Sequence, residues 1–244
     1  MENLKSLVRA MADNLVFVVM AFCVTAVLFA AAGILQRLFR HGQEMSPLRR
    51  MTIMALFAAI AVILNMFSFP VAVIAPSFYK LDFSEIPILI CGFLLGPVAG
   101  VTVEFVKIML NLLINGTRTM FIGEFANFIV GCAFVLPASI LYMFMRTKKG
   151  AIVSMAVGTA VMVLAGCMLN AWLLLPWYAE HFYAASGGMD AIVAAGSKVN
   201  PVIDSAFTFV VCAVAPFNFV KAAGCSVVTF LLYKKLSKAL KAVR

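Results

Sequence analysis

The sequence predicts an all-α polytopic membrane protein, built from a core of six helices and one extra transmembrane helix at the N-terminus. Hydrophobic residues make up 64% of the 244 residues, charged residues make up 12%, and the mean hydropathy is +1.07. A water-soluble fold of this length lacks the interior to cover so many apolar side chains, whereas lipid removes that requirement. The apolar residues also fall into separate runs of about 20, the length of a spanning helix.

The first apolar run, about residues 15–35, predicts the extra helix. Small residues at 30–33 would suit cleavage of a signal peptide. Four arginines follow the run, and such clusters resist translocation and stay in the cytoplasm: Arg37, Arg40, Arg49 and Arg50. The sequence therefore favours a retained helix with its N-terminus outside over a signal peptide, and residues 1–40 are assigned to it.

The core occupies residues 50–238 and is followed by a basic cytoplasmic tail at 239–244. The second of its apolar runs is short for a membrane span, and Gly96 and Pro97 separate it from the third. Pro216 interrupts the last run. Longer connections at 70–82, 115–121 and 180–201 are expected on the outer face. The core helices are predicted at about 51–69, 84–95, 98–114, 123–145, 151–178 and 202–233.

The net charge of +9 indicates orientation in a membrane rather than binding to nucleic acid. Twelve of the 19 Lys and Arg residues fall in the proposed cytoplasmic segments, and five fall in the proposed outer segments. Positive residues are enriched on the cytoplasmic side of membrane proteins. The distribution therefore places both ends of the six-helix core in the cytoplasm and argues against a nucleic-acid partner.

Sequence motifs for catalysis are absent. The chain has no GxxxxGK[ST] loop for ATP, no HExxH and no GxSxG. The six cysteines stand singly in apolar stretches, and the two histidines, His41 and His181, are far apart. We therefore expect no enzymatic activity, no metal site and no cofactor, and uphill transport would draw its energy from a partner or an ion gradient.

Ionisable residues inside the predicted spans are informative because a charge in a membrane is costly. Glu104 and Lys107 lie three apart on one helix face, where we expect a structural ion pair. Asp82 and Glu85 flank the start of the second core helix and are expected to stabilise its N-terminus electrostatically. Lys221 needs a carbonyl, a carboxylate or a ligand acceptor as a partner, and the sequence favours a ligand or cavity role.

Amides and aromatic residues accompany these charges. Glu124 and Asn127 begin the fourth core helix, and Asn170 and Asn218 lie deep in the last two. Each Asn is equally compatible with hydrogen bonding between helices and with ligand binding. Aromatic residues such as Tyr79 are plentiful nearby. A pocket with aromatic walls, a few amides and one lysine would suit a flat, neutral, heteroaromatic ligand with a polar tail.

Five motifs in one order carry a resemblance to a known family. The segments are LDFSEIP at 81–87, Gly96-Pro97, Glu104 to Lys107, GEFANF at 123–128 and APFNFVK at 215–221. Their order and spacing, across about 50–238, resemble the riboflavin-specific S component of energy-coupling-factor (ECF) vitamin transporters. Residues 1–40 depart from the usual six-helix pattern of that family.

The resemblance implies a function, partners and site residues. The chain would bind riboflavin from outside, as a transported ligand rather than a cofactor, and deliver it to the cytoplasm. Its partners would be a transmembrane coupling subunit and two ATPase subunits, within membrane lipid. Ala55 and Ala59, a small-xxx-small pair on the first core helix, would form the docking face for the coupling subunit. The candidate ligand-binding residues are Lys221, Asn170, Asn127, Asn218, Glu124, Asp82 and Tyr79.

Residue chemistry agrees with a flavin but leaves alternatives. Lys221 and Asn170 can donate hydrogen bonds to the acceptors of an isoalloxazine ring, and the ribityl hydroxyls would need polar groups near Asp82 or Glu124. An S component for FMN or another vitamin stays open, because Arg118, Lys80 and Lys198 offer cations for a phosphate. A membrane-embedded enzyme and a scaffold subunit are the alternatives from other classes.

Overall fold

The computed structural model describes residues 14–39, 45–117 and 119–242, with side chains described through Tyr233. Two short strands, β1 and β2, cover Phe69–Pro70 and Lys80–Leu81. The α-helices are α1 Leu15–Phe39, α2 Pro47–Met66, α3 Glu85–Leu95, α4 Pro97–Asn115, α5 Ile122–Phe144, α6 Lys148–Leu169, α7 Leu175–His181, α8 Met189–Ser197, α9 Ala206–Phe209 and α10 Ala215–Ala242. Two π-helical segments join α6 to α7 and α9 to α10, at Asn170–Leu174 and Val210–Val214.

The helices form the predicted membrane bundle. Within the described ranges, six continuous helical stretches are long and apolar enough to cross a membrane, and the short apolar helix α3 joins them. Helix α4 packs against α2, α3 and α5, and α10 packs against α6 and α3. Large apolar side chains such as Phe57, Ile88 and Phe134 fill the centre of the bundle. The fold class is therefore confirmed: α1 is the extra helix, and α2 to α10 supply the core.

Helix α1 lies along α4 and α5 and is attached at two levels. Phe17 and Phe29 make edge-to-face contacts with Phe125 and Phe105, at centroid distances of 5.4 and 5.9 Å. Near the other end of α1, the Gln36 side chain is only 9% exposed. A long helix whose outward face is apolar needs few polar contacts with its neighbours in lipid, so this one buried amide is a specific attachment point.

Gln36 contacts the sharp elbow between α3 and α4. Its Oε1 atom accepts a hydrogen bond of 3.1 Å from the Val98 backbone N–H, one of the donors that a helix N-terminus leaves unpaired. Gly96 makes the elbow possible, because its φ of +96° lies in a region that residues with a Cβ rarely adopt. From α2, Arg50 Nη2 donates to the Leu95 carbonyl at 3.3 Å. Side chains from α1 and α2 therefore hold the elbow from both sides.

The outer connections are more ordered than the sequence predicts. In the 70–82 connection, Phe69 pairs with Leu81 and Pro70 with Lys80 in an antiparallel bridge that makes the connection a flap. The 180–201 stretch was expected to be a polar loop, but it contains helix α8. Ile192 of α8 is fully buried, and this apolar contact explains why a helix forms there.

Two other differences concern the ends of the prediction. Helix α10 continues to Ala242, so most of the tail predicted at 239–244 is helical. Several basic residues and one histidine used in the sequence argument lie outside the described residues: Lys5, Arg9, Arg40, His41, Arg118 and Arg244.

Candidate functional site

Two π-helical segments face each other inside the bundle, in the half that the charge pattern assigns to the outside. They cover Asn170–Leu174 and Val210–Val214 and contact one another. Each ends two residues before a proline, Pro176 or Pro216. A proline lacks an N–H and its ring clashes with the carbonyl four residues earlier, which lies inside the π segment in both cases. Widened turns of this kind often occur at functional sites.

The first π segment begins with Asn170, which is 4% exposed. Its Nδ2 atom donates to the Gly166 carbonyl at 2.8 Å, and its Oδ1 atom accepts a hydrogen bond from the hydroxyl of Tyr79. The Tyr79 ring also contacts Phe217 and Phe209, at centroid distances of 5.4 and 6.3 Å. Burial raises the pKa of Tyr79, so its hydroxyl remains a donor at neutral pH. The outer flap is thus tied to the π segment by one polar and two aromatic contacts.

Asn218 follows the second π segment and is 6% exposed. Its Nδ2 atom donates to the Val214 carbonyl at 2.9 Å. Gly166 of α6 gives it room, because a Cβ atom at that position would lie 2.7 Å from Asn218 Nδ2. The same Gly166 accepts the hydrogen bond of Asn170. The two buried amides therefore meet around one glycine, and both are oriented by their own helices.

Lys221 lies one turn beyond Asn218 and forms a buried ion pair with Asp82 of the flap. The distance from Lys221 Nζ to Asp82 Oδ2 is 2.9 Å, and the two side chains are 6% and 5% exposed. Burial by itself would raise the pKa of Asp82, but the positive charges of Lys221 and Lys107 and the hydrogen bond from Ser84 hold it well below its usual range. The hydrogen bond to Asp82 uses one of the three N–H donors of Lys221, so the ammonium can also donate to a ligand.

The carboxylates at the start of α3 form ion pairs that the sequence did not predict. Glu85 lies in the first turn of α3, as expected for stabilisation of the helix N-terminus, but Asp82 also pairs with Lys221, and Glu85 Oε1 lies 3.0 Å from Lys107 Nζ. Glu104 Oε1 lies 2.7 Å from the same nitrogen, which confirms the predicted pair with Lys107. The sequence missed Glu85 as the second partner, because that contact joins different helices.

A chain of polar contacts links the two lysines. Lys107 Nζ donates to Ser84 Oγ at 3.2 Å, and Ser84 donates in turn to Asp82 Oδ1 through its hydroxyl and, at 2.9 Å, through its backbone N–H. Asp82 completes the chain to Lys221. We call the five charged residues of this chain the buried charge network: Asp82, Glu85, Glu104, Lys107 and Lys221.

Glu124 and Asn127 make no hydrogen bond to this cluster. Glu124 Oε2 accepts hydrogen bonds from the hydroxyls of Thr117 and Thr119 at 3.1 and 2.6 Å. It also lines a mostly apolar cavity of about 390 Å³ between α1, α4 and α5. Asn127 is half-buried on α5. It takes no part in the hydrogen bonds that orient the amides of Asn170 and Asn218. The structure therefore brings together five of the seven predicted ligand residues and shows no hydrogen bond that links the other two to them.

Ala55 and Ala59 lie on the exposed side of α2. The opposite side of the helix is buried and carries Ile53, Phe57 and Val62. Small side chains on a lipid-facing surface let a second helix approach closely. The pair is therefore accessible to a partner in the membrane.

The fold and this cluster define a polytopic helical membrane protein with a buried polar site in one half of its bundle. A match to the family described as "ECF transporter, substrate-specific component" covers residues 49–233. The chain belongs to this family. It is a transport component of the cell membrane rather than an enzyme, as the sequence predicted, and α1 lies outside the matched residues.

Named relatives agree with this assignment. The chain is 33% identical over 204 residues to "Riboflavin transporter RibU" of Staphylococcus aureus (strain TCH60), covering 84% of this chain and 98% of the relative. It is 32% identical over 190 residues to "Riboflavin transporter FmnP" of Bacillus subtilis (strain 168), covering 77% of this chain and 92% of the relative. A solved structure described as "Structure and mechanism of the S component of a bacterial ECF transporter" is similar with a TM-score of 0.62 and 31% identity, covering 80% of this chain and 99% of that one.

Proposed function

We propose that this protein binds riboflavin from outside the cell and delivers it to the cytoplasm, as the substrate-binding subunit of an ECF transporter. The observation that carries the proposal is a cluster of four side chains beside two π segments that face each other. The cluster consists of the oriented amides of Asn170 and Asn218, the hydroxyl of Tyr79 and the ammonium of Lys221. The relatives named as riboflavin transporters cover most of the chain and support the same ligand.

The chemistry of the cluster suits an isoalloxazine ring. Lys221 and the amides of Asn170 and Asn218 offer N–H donors to ring carbonyls and nitrogens, and Phe209 and Phe217 offer apolar faces. Riboflavin is uncharged at neutral pH, which fits a site whose lysine is already paired with Asp82. The flap that carries Tyr79 would close over the bound ring.

The partner proposal concerns the exposed face of α2. The family works with an ECF module, and we propose that its transmembrane coupling subunit packs on Ala55 and Ala59, with two ATPase subunits supplying the energy. The accessible small residues on α2 support this docking site.

An equilibrium titration of the purified, ligand-free protein with riboflavin and, separately, FMN tests the substrate. Riboflavin is expected to bind more tightly, because Lys80 and Lys198, the described cations that the sequence suggested for a phosphate, are both exposed to solvent, where a charge pair contributes little. Tighter binding of FMN would assign the site to the phosphorylated flavin. Co-purification with ATPases and no binding of either flavin would indicate a scaffold role instead.

A further inference from the structure

The buried charge network contains more acids than bases. Glu85, Glu104 and Lys107 are all 0% exposed, and the Asp82–Lys221 pair is nearly as buried. The network holds three carboxyl groups and two ammonium groups. If all five were ionised, the interior of the bundle would carry one uncompensated negative charge, which is expensive in a medium of low polarity.

Among the residues that the structure describes, no neighbouring group supplies the missing positive charge. The titratable side chains that face the network from α5 and α10 are the thiols of Cys132 and Cys225, which add no positive charge. On α2, Arg50 lies at the elbow, where it donates to the Leu95 carbonyl and its charge acts on the Cys91 thiol. The balance must therefore come from a cation or a proton.

The position of Glu104 distinguishes these two possibilities. Both of its oxygens, and Oε2 of Glu85, are buried without a hydrogen-bond partner among the described residues, although Glu104 Oε1 lies close to Lys107 Nζ. Gly131 packs against the Glu104 carboxyl group, since a Cβ atom there would lie 2.6 Å from Glu104 Cδ. In the part of the chain that the structure describes, no three His, Cys, Asp or Glu side chains are grouped to hold a metal ion.

We propose that the buried charge network is a binding site for one proton, held on Oε2 of Glu104 at neutral pH. Glu85 stays ionised, since it accepts an aligned hydrogen bond from Lys107 and lies in the first turn of α3, where a negative charge is favourable. Glu104 Oε1 remains the acceptor that faces Lys107. With this proton the five side chains carry no net charge.

Infrared spectroscopy of the ligand-free protein tests the proposal without any flavin. A protonated carboxylic acid gives a carbonyl band above the amide I band, and the band shifts on exchange into D₂O. The wild-type protein is expected to show it at pH 7, and Glu104→Gln is expected to remove it. The matched control is Glu180→Gln, which changes an exposed carboxylate and should leave the band unchanged. Absence of the band from the wild type would overturn the proposal.

A second variant tests the charge count itself. In Glu85→Gln the network has two carboxyl groups and two lysines, so Glu104 should ionise and the band should disappear although Glu104 is intact. A band that persists in Glu85→Gln, or that survives Glu104→Gln, would contradict the assignment. These spectra are read at equilibrium on folded protein, and a wild-type spectrum without the band would refute the proposal even if one variant does not fold.

Thermal unfolding gives an independent readout. Glutamine resembles a protonated glutamic acid, so Glu104→Gln should unfold at the wild-type temperature at pH 7. The folded wild type binds one more proton than its unfolded chain, so its free energy of unfolding should fall as pH rises toward the alkaline range. Over the same pH range, the free energy of unfolding of Glu104→Gln should fall less. A large drop in the unfolding temperature of Glu104→Gln at pH 7, equal to that of Lys107→Met, would show that the carboxyl group is ionised and would refute the proposal.

Discussion

Lys221 has a structural role and keeps donors that a ligand could use. Its ion pair with Asp82 satisfies the requirement that a buried lysine have a partner, and the pair joins α10 to the flap. Sequence reasoning named a carboxylate as one possible partner and favoured a ligand. The geometry is compatible with both, because an ammonium has three donors and Asp82 takes one.

Replacement of this lysine tests its role in binding. Lys221→Met is expected to weaken riboflavin binding by about 1–3 kcal/mol, roughly 5- to 150-fold, because a buried donor is lost. The measurement is a riboflavin titration, and Lys198→Met, at an exposed lysine, is the matched control. Lys221→Met leaves Asp82 without its partner, so the double variant with Asp82→Asn removes the unpaired charge. Wild-type affinity in both variants would exclude Lys221 from the site.

At the scale of elements, the prolines could have revealed the two π segments. The sequence singles out Pro216 as an interruption, but it treats Pro176 as part of a long helix. Both prolines follow a π segment by two residues, and the segments orient Asn170 and Asn218. Periodicity alone cannot show this, because one extra residue in a turn changes the backbone and leaves the apolar pattern nearly intact.

Helix α2 carries the prediction about the partner. Ala55→Trp is expected to weaken association with the coupling subunit by about 1–3 kcal/mol, because a bulky ring prevents close helix approach. Riboflavin affinity should be unchanged, since Ala55 is on the exposed side of α2. Co-purification and uptake into proteoliposomes measure the effect. Leu164→Trp, at an exposed position on α6, is the control. Normal uptake by Ala55→Trp would show that docking uses another surface.

Helix α1 gives a prediction about stability. Gln36→Leu removes the hydrogen bond to the Val98 N–H, so the free energy of unfolding should fall by about 1 kcal/mol, as for a lost helix cap. Riboflavin affinity should stay at the wild-type value, because Gln36 contacts the elbow and not the polar cluster. The exposed neighbour substitution Leu38→Ala is the control for thermal unfolding in detergent. An unchanged unfolding temperature in Gln36→Leu would mean that α1 is not held by this contact.

For the whole molecule, the apolar runs predicted the membrane-spanning helices, and the polar interruptions predicted five residues that lie close together in the structure. Lys221, Asn170, Asn218, Asp82 and Tyr79 meet as expected. What the sequence could not provide was pairing between distant segments: Asp82 with Lys221 is a contact across 139 positions. Such contacts depend on which helices become neighbours, and the local pattern of apolar and polar residues does not indicate which helices these are.

The same limit applies to Glu124 and Asn127. Both lie in the first turns of α5, and Glu124 faces the side of the bundle where Thr117, Thr119 and α1 lie. Helix α1, absent from the matched residues, contacts α4 and α5 and leaves the Ala55 side of α2 exposed. The extra helix and the proposed docking face therefore use different surfaces, so both can be occupied in one complex.

The most direct test of the central claim is the identity of the ligand that the protein carries from the cell. The protein, purified from riboflavin-containing medium, should be yellow and show flavin absorbance bands, and a mass spectrum of the extracted ligand should give riboflavin at about one molecule per chain. A colourless protein that also fails to bind added riboflavin in titration would contradict the account.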